Sequence, residues 1–134
     1  MSYLLDTNTV IGILRGRKPE LLARLAMVPR SSLHTCSVVK AELFYGSQRS
    51  AKPRENRAAQ QAFLVGLTSH DFDDGAAEHY ARIRAEIEAS GLPIGSMDYL
   101  IASIALAHDL VLVTHNTREF ARVSGLQIED WEPA

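Results

Sequence analysis

Residues 2–14 read SYLLDTNTVIGIL, and the order of residue types in that stretch decides the fold. A short apolar run from Ser2 to Leu5 ends on the carboxylate of Asp6. Thr7 and Asn8 follow at once, and then Val10, Ile11, Ile13 and Leu14 recur at helical spacing. This pattern is a strand feeding a helix, with Thr7 or Asn8 placed to cap it and Gly16 to stop it. In open α/β sheets the crevice beyond the carboxyl ends of the strands is where ligands bind. An acid there can cap a helix, hold a cation or act as a nucleophile.

The same unit repeats along the chain. Pro19 opens a second helix carrying Leu21, Leu22, Leu25 and Ala26 as far as Pro29. His34 to Ser37 reads as a strand, and Ser37 is placed to cap a helix containing Val38, Val39, Ala41, Leu43, Phe44 and Tyr45. Ser47 to Glu55 is the expected loop, followed by a helix with Ala58, Ala59, Ala62, Phe63 and Leu64 on its apolar side. A strand near Ser69 to Phe72 leads to a helix from Asp74 to Ser90, with Ala77, Tyr80, Ala81, Ile83 and Ile87 as its inner stripe. Ser96 can cap the next helix, Asp98 to His108, whose apolar residues almost encircle it and require burial. Leu110 to Thr114 has the β-branched composition of a buried parallel strand. A short helix over Thr117 to Val123 and a strand at Leu126 to Ile128 complete the chain. Strands alternating with helices predict parallel pairing, right-handed crossovers and a three-layer α/β/α sandwich with a mainly parallel sheet. With 134 residues, one domain over residues 1–134 is expected.

Composition narrows the function. No apolar run approaches the roughly 20 residues that span a bilayer, and MSYLLDTN lacks the basic segment of a secretory signal, so a cytoplasmic protein with no membrane contact is expected. Cys36 is the single cysteine, which excludes an internal disulfide and a multi-cysteine zinc site, and leaves it the role of a small buried hydrophobe. The net charge of −2 gives no overall basic signature. Eleven of the fourteen basic residues are nevertheless arginine, and basic residues gather at Arg15, Arg17 and Lys18 and at Arg49, Lys52, Arg54 and Arg57. Guanidinium forks suit phosphate.

Three carboxylates stand where packing alone prefers something else. Asp6 ends the first strand, Glu42 shares a helical face with Val38, Val39 and Tyr45, and Asp98 opens the most apolar helix. Each has a plain structural explanation, as a helix cap, a snorkelling surface acid or a dipole partner. Together they can meet at one sheet edge, where mutual repulsion raises their pKa values unless a cation is present. Oxygen ligands without paired histidine or cysteine select a hard ion, Mg²⁺ with Mn²⁺ as a substitute. Near the last strand, Asn116 can orient water or hydroxyl without adding charge, and His115 can serve as a base.

LLDTN (4–8), SVVKAELFYG (37–46), GLPIGSMDYLIA (91–102) and LVTHNTREF (112–120), followed by IEDW, occur in this order over essentially the whole chain. In this the sequence resembles the PIN-domain ribonucleases, specifically the VapC toxins of toxin–antitoxin pairs. The resemblance implies a metal-binding triad of Asp6, Glu42 and Asp98 with Asn116 at the fourth catalytic position, where many PIN domains carry aspartate. Asn8, Ser37, Thr114, His115 and Glu119 are the supporting polar groups. It further implies Mg²⁺-dependent endonucleolytic cleavage of RNA by a metal-held water, leaving 5′-phosphate and 3′-hydroxyl ends. Similar toxins cut initiator tRNA in its anticodon loop. Arg15, Arg17, Lys18, Arg49, Lys52 and Arg54 are the expected RNA-binding residues around the acids. A VapB-type antitoxin and a homodimer are the implied partners, with Leu21, Leu22, Leu25, Phe44, Tyr45 and Phe63 on helices that could offer the antitoxin a groove. Two other readings compete. One is a PIN-fold RNA-binding or interaction module that has lost its chemistry at Asn116. The other is a haloacid dehalogenase-like phosphatase, whose strand-end signature Asp6, Asn8 and Thr9 imitate.

Overall fold

The computed structural model describes residues 1–132. Five short strands form one fully parallel sheet: β1 (Tyr3–Leu5), β2 (Leu33–Cys36), β3 (Thr68–His70), β4 (Val111–Val113) and β5 (Ile128–Glu129). Their spatial order is β3-β2-β1-β4-β5. The connections carry α1 (Thr7–Arg15), α2 (Pro19–Ala26), α3 (Ser37–Gln48), α4 (Pro53–Leu64), α5 (Asp74–Ala89), α6 (Ser96–Ala107) and α7 (Thr117–Phe120). This is the expected α/β sandwich. The centre of the sheet is dry, since Leu4, Leu5, Leu112 and Val113 are fully buried. Strands covered on both faces must be apolar throughout, which is why the leading and penultimate strands read as unbroken hydrophobic runs.

Helix α6 justifies its composition. Ile101, Ala102, Ile104 and Ala105 are buried, with α5 packed along it. On α5, however, the stripe that faces inward is Ala76, Ile83 and Ile87, while Ala77 and Ala81 are exposed. On α4 likewise Ala58, Ala59 and Ala62 are exposed, and the buried residues are Gln60 and Leu64. Gln60 is accommodated because its Nε2 donates to the Leu43 carbonyl at 3.0 Å. Alanine is a good helix former in water as well as in a core, so it marks a helix without marking its buried face.

Three helix starts lie one residue earlier than the sequence suggests. Asp6, not Thr7 or Asn8, is the N-cap of α1 and accepts from the Thr9 amide at 2.8 Å. Cys36, buried as expected, caps α3 with its Sγ 3.5 Å from the Val39 amide, so Ser37 is already helical. Gly95 replaces Ser96 as the N-cap of α6. Only at β2 does a strand run straight into a helix, so Cys36 takes the cap as the last strand residue; Asp6 directly follows β1 and Gly95 closes the loop after α5, each in extended backbone. The expected loop from Ser47 to Glu55 shrinks to residues 49–52, because α3 continues through Gly46 and Pro53 starts α4. Strand β3 starts one residue earlier than expected and β5 lies further along.

At the outer side of β2 and β3, His34 Nδ1 lies 2.8 Å from His70 Nε2, and the His108 ring stands 4.1 Å from His70. Asp73, which caps α5, approaches His108 Nε2 at 3.2 Å. Burial first, then the neighbouring rings, lowers the pKa of His34 and His70 below the ordinary imidazole value of 6.5. The native state therefore resists protons that the unfolded chain accepts, and stability contributed here is lost as pH falls below about 6.5.

Two outcomes test this packing. Ile104→Ala is expected to lower unfolding stability by about 2–5 kcal/mol, whereas Ala81→Ser on the exposed side of α5 changes it by under about 0.5 kcal/mol, both read by urea denaturation. A melting series from pH 7.5 to 5.5 should show a fall on the acid side that His70→Asn reduces; an unchanged slope would remove the histidine pair from the acid response.

Candidate active site at the carboxyl edge

The strand order reverses direction at β1 and β4, and Asp6 follows β1 at that point. Its amide donates to the Val113 carbonyl at 3.1 Å, which places Asp6 beside Thr114. The Asp6 side chain is 6% exposed. Burial raises its pKa, bonds from the Thr114 hydroxyl and from Thr9 pull it back, and the charge of Glu132 raises it further. Thr114, itself fully buried, also accepts the Asn116 amide at 3.0 Å. One hydroxyl thus ties the ends of β1 and β4 together.

Glu42 arrives from α3, the helix that leaves β2, and Thr7 Oγ1 donates to its Oε1 at 2.5 Å. Val38 and Val39 behind it are buried as expected, but Tyr45 turns outward and is 62% exposed. Asp98 lies in the first turn of α6, where Gly95 makes room for it: a Cβ at Gly95 would stand 3.1 Å from Asp98 Oδ2. Asp98 is pushed up to about 6, by burial first and then by the charges of Glu119, Glu42 and Asp6. The three acids singled out in the sequence are therefore electrostatic neighbours, with Glu119 as a fourth. Asn116 Nδ2 donates to Glu119 Oε2 at 2.8 Å, so the amide positions that acid.

No ion pair reaches Asp6, Glu42, Asp98 or Glu119 among the described residues. Uncompensated carboxylates in a half-buried edge fit a hard dication in charge and in donor type. As the side chains stand, no three histidine, cysteine or carboxylate groups among the described residues converge at ligand distance.

A cavity of about 550 Å³ opens over Asp6 and is lined in part by Asn8, Arg15, Arg17, Lys18, His115, Asn116 and Glu132. Arg15, Arg17 and Lys18 therefore share this cavity with Asp6, and Arg15 also lines the groove that contains Glu42. Arg49, Lys52 and Arg54 do not. They sit at the α3–α4 junction, where Arg49 bonds the Tyr45 hydroxyl at 2.9 Å and Lys52 faces Glu55 at 3.8 Å. Ser37 is the first residue of α3 and makes no side-chain hydrogen bond among those described. His115 Nδ1 lies 3.0 Å from Asp130, so only its Nε2 remains for proton transfer. Two residues of the site were not foreseen. Thr7 holds Glu42, and Glu132 pairs with Lys18 at 2.5 Å across the cavity mouth. The DTN run could have signalled the first; Glu132 is brought there only by the closing strand.

Because the folded Asp98 carboxyl is harder to ionise than in the unfolded chain, the native state holds an extra proton between about pH 3.8 and about 6. Stability from this group is present at low pH and lost as pH rises through about 6. In chelator, Asp98→Asn should stabilise the fold against urea at pH 7.5 by on the order of 1 kcal/mol, and much less at pH 5. A stabilisation equal at both pH values would disconnect Asp98 from the charge cluster.

With this geometry in hand, comparison with known proteins is direct. Residues 3–126 match the family model described as PIN domain. The chain is 39% identical over 131 residues to a protein of Salmonella typhimurium named tRNA(fMet)-specific endonuclease VapC, covering 98% of each. It is 38% identical to Ribonuclease VapC2 of Haemophilus influenzae, again over 98% of both chains. Among solved structures, VapBC2 from Rickettsia felis bound to a DNA fragment from their promoter aligns with a TM-score of 0.91 at 35% identity, covering 98% of this chain and 99% of that one. DNA-bound VapBC from Salmonella typhimurium gives 0.90 at 37%, covering 98% of each. A match of this extent shows that the chain belongs to the PIN domain family and, within it, to the VapC ribonucleases.

Proposed function

We propose that this protein is a Mg²⁺-dependent endoribonuclease acting as the toxin of a VapBC-type pair, with Asp6, Glu42 and Asp98 holding the metal ion. The observation that supports this most is the gathering of those acids, and Glu119, at the carboxyl edge with no cationic side chain to neutralise them. When bound, the divalent cation supplies positive charge to the phosphate oxygens and makes a water acidic enough to attack phosphorus.

The rest of the chemistry belongs to the chain. Thr9 and Thr114 hold the Asp6 carboxylate in one orientation, so the site is organised before the substrate arrives. Thr7 sets Glu42. Asn116 sets Glu119, whose charge adds to burial in raising the Asp98 carboxyl to about 6. Arg15, Arg17 and Lys18 at the cavity draw in the phosphate backbone that four acids alone would repel. In the displacement water adds to phosphorus, the 3′ oxygen leaves and takes up a proton, and the products carry 5′-phosphate and 3′-hydroxyl ends.

The name of the Salmonella typhimurium relative makes initiator tRNA the first substrate to test, cut in its anticodon loop, where unpaired bases can be splayed into a groove. The solved relatives in complex support a VapB-type antitoxin as the partner, and a homodimer of this chain is part of the same proposal. Among the described residues no helix is long and apolar enough to cross a membrane. The fit of Asp6 as a phosphatase nucleophile is poor, because its oxygens are engaged by the Thr9 amide and Thr114.

Incubation of purified protein with initiator tRNA and total RNA, with Mg²⁺ or with EDTA, followed by mapping of the new ends, tests the reading. Cleavage should require the metal, and Asp6→Asn or Asp98→Asn should lower it about 100-fold or more with the fold intact by circular dichroism. Full cleavage in EDTA, or full activity in either variant, would overturn the metal assignment.

A further inference from the structure

The eleven arginines divide into two groups. Arg24, Arg30, Arg49, Arg82, Arg84 and Arg122 each donate to a protein acceptor. Arg15, Arg17, Arg54, Arg57 and Arg118 have no hydrogen bond or ion pair of their own among the described residues. Unpartnered arginines scattered over a surface need no explanation, but these are not scattered. Arg15 and Arg17 border the cavity over Asp6, and Arg54 and Arg57 border a second cavity of about 490 Å³ between α3 and α4.

The two are connected. A groove of about 340 Å³ lies between them, sharing Ile11 and Arg15 with the first cavity and Ser47 with the second, and it contains Glu42. Glu42 and Ser47 are five residues apart on α3, roughly 7.5 Å along its axis. The three depressions are therefore neighbours along α3, between the acidic edge and the α4 arginines.

Arg57 is built into its place. Its guanidinium lies 3.5 Å from the Phe44 ring centroid, and its Nε is buried without a hydrogen-bond partner. Stacking pre-orients the guanidinium, and its terminal nitrogens, without a hydrogen-bond partner among the described residues, remain to donate to an acceptor in the cavity. Arg54, one turn earlier on the same helix, doubles the positive charge, and Ser47, Gln48 and Gln61 add polar lining. Arg49 and Lys52 nearby are already engaged by Tyr45 and Glu55. What the pair lacks is an anion with several oxygens.

We propose that Arg54 and Arg57 form a second phosphate-binding subsite, where the backbone of a single-stranded RNA segment is held while a neighbouring phosphodiester lies at Asp6, Glu42 and Asp98. This rests on the ribonuclease reading above, and it sets the path of the strand along α3.

Binding is measured in EDTA, so that it does not depend on cleavage, with a fluorescent single-stranded RNA and a range of salt concentrations. Arg54→Ala with Arg57→Gln should weaken binding about tenfold and make the plot of log affinity against log salt shallower by about 1.4, the change for two phosphates on a single strand. Arg54→Ala alone, on an exposed side chain that carries no packing, should give about half that change. Arg82→Ala, which removes an ion-paired arginine on α5, should give none. An unchanged slope in the double variant while the RNA still binds would overturn the subsite. So would loss of affinity for an acidic peptide without loss for RNA, which would assign the pair to a protein partner. A protein that binds RNA through these arginines but never cleaves it would sink the ribonuclease reading and leave the subsite standing.

Discussion

Asp6 caps α1 through its bond to the Thr9 amide, and a Thr114 hydrogen bond fixes the same carboxylate against the end of β4. Everything at the site depends on this anchoring. The strand that carries Asp6 lies between two parallel neighbours with both faces buried, so its end has almost no freedom of position. A parallel sheet delivers the ends of consecutive strands to one edge by construction, since each crossover returns the chain to the same side. Glu42 and Asp98 reach that edge from helices, Glu42 from the middle of α3 after β2 and Asp98 from the first turn of α6 before β4.

Gathering acids in this way costs stability, and the structure shows where. Asp98 is pushed up to about 6 by burial and by the other three charges. A fold selected for stability alone would place a lysine or arginine among them. Here the cations stand back at the rim, where Lys18 pairs with Glu132 and Arg15 and Arg17 make no pair. The result is a negative centre within a positive surround, which attracts a dication and a polyanion to the same place without letting either side chain set neutralise the other.

Much of this was legible in the sequence. The three acids could be found because each interrupts a pattern: Asp6 ends an apolar strand, Glu42 sits beside Val38 and Val39, and Asp98 opens a helix apolar nearly all round. Buried parallel strands declare themselves by composition, as Leu110 to Thr114 does. The alanines of α4 and α5 misled because a methyl group is tolerated equally in water and in a core. The caps were displaced by one residue because the residue before each helix is still extended, so Cys36 at the end of β2 and Gly95 in the loop before α6 took positions that Ser37 and Ser96 could have filled.

The sequence by itself determined the strand–helix alternation, the parallel sheet and the acids that meet at its edge, because periodicity, burial of apolar runs and misplaced charge are properties of residues in order. The tertiary structure alone decided which groups hold those acids and where the arginines go. Thr7 on Glu42, Glu132 on Lys18 and Phe44 beneath Arg57 are contacts across 35, 114 and 13 positions of chain respectively. No local pattern encodes such pairs; they exist only once the crossovers have brought separate elements side by side.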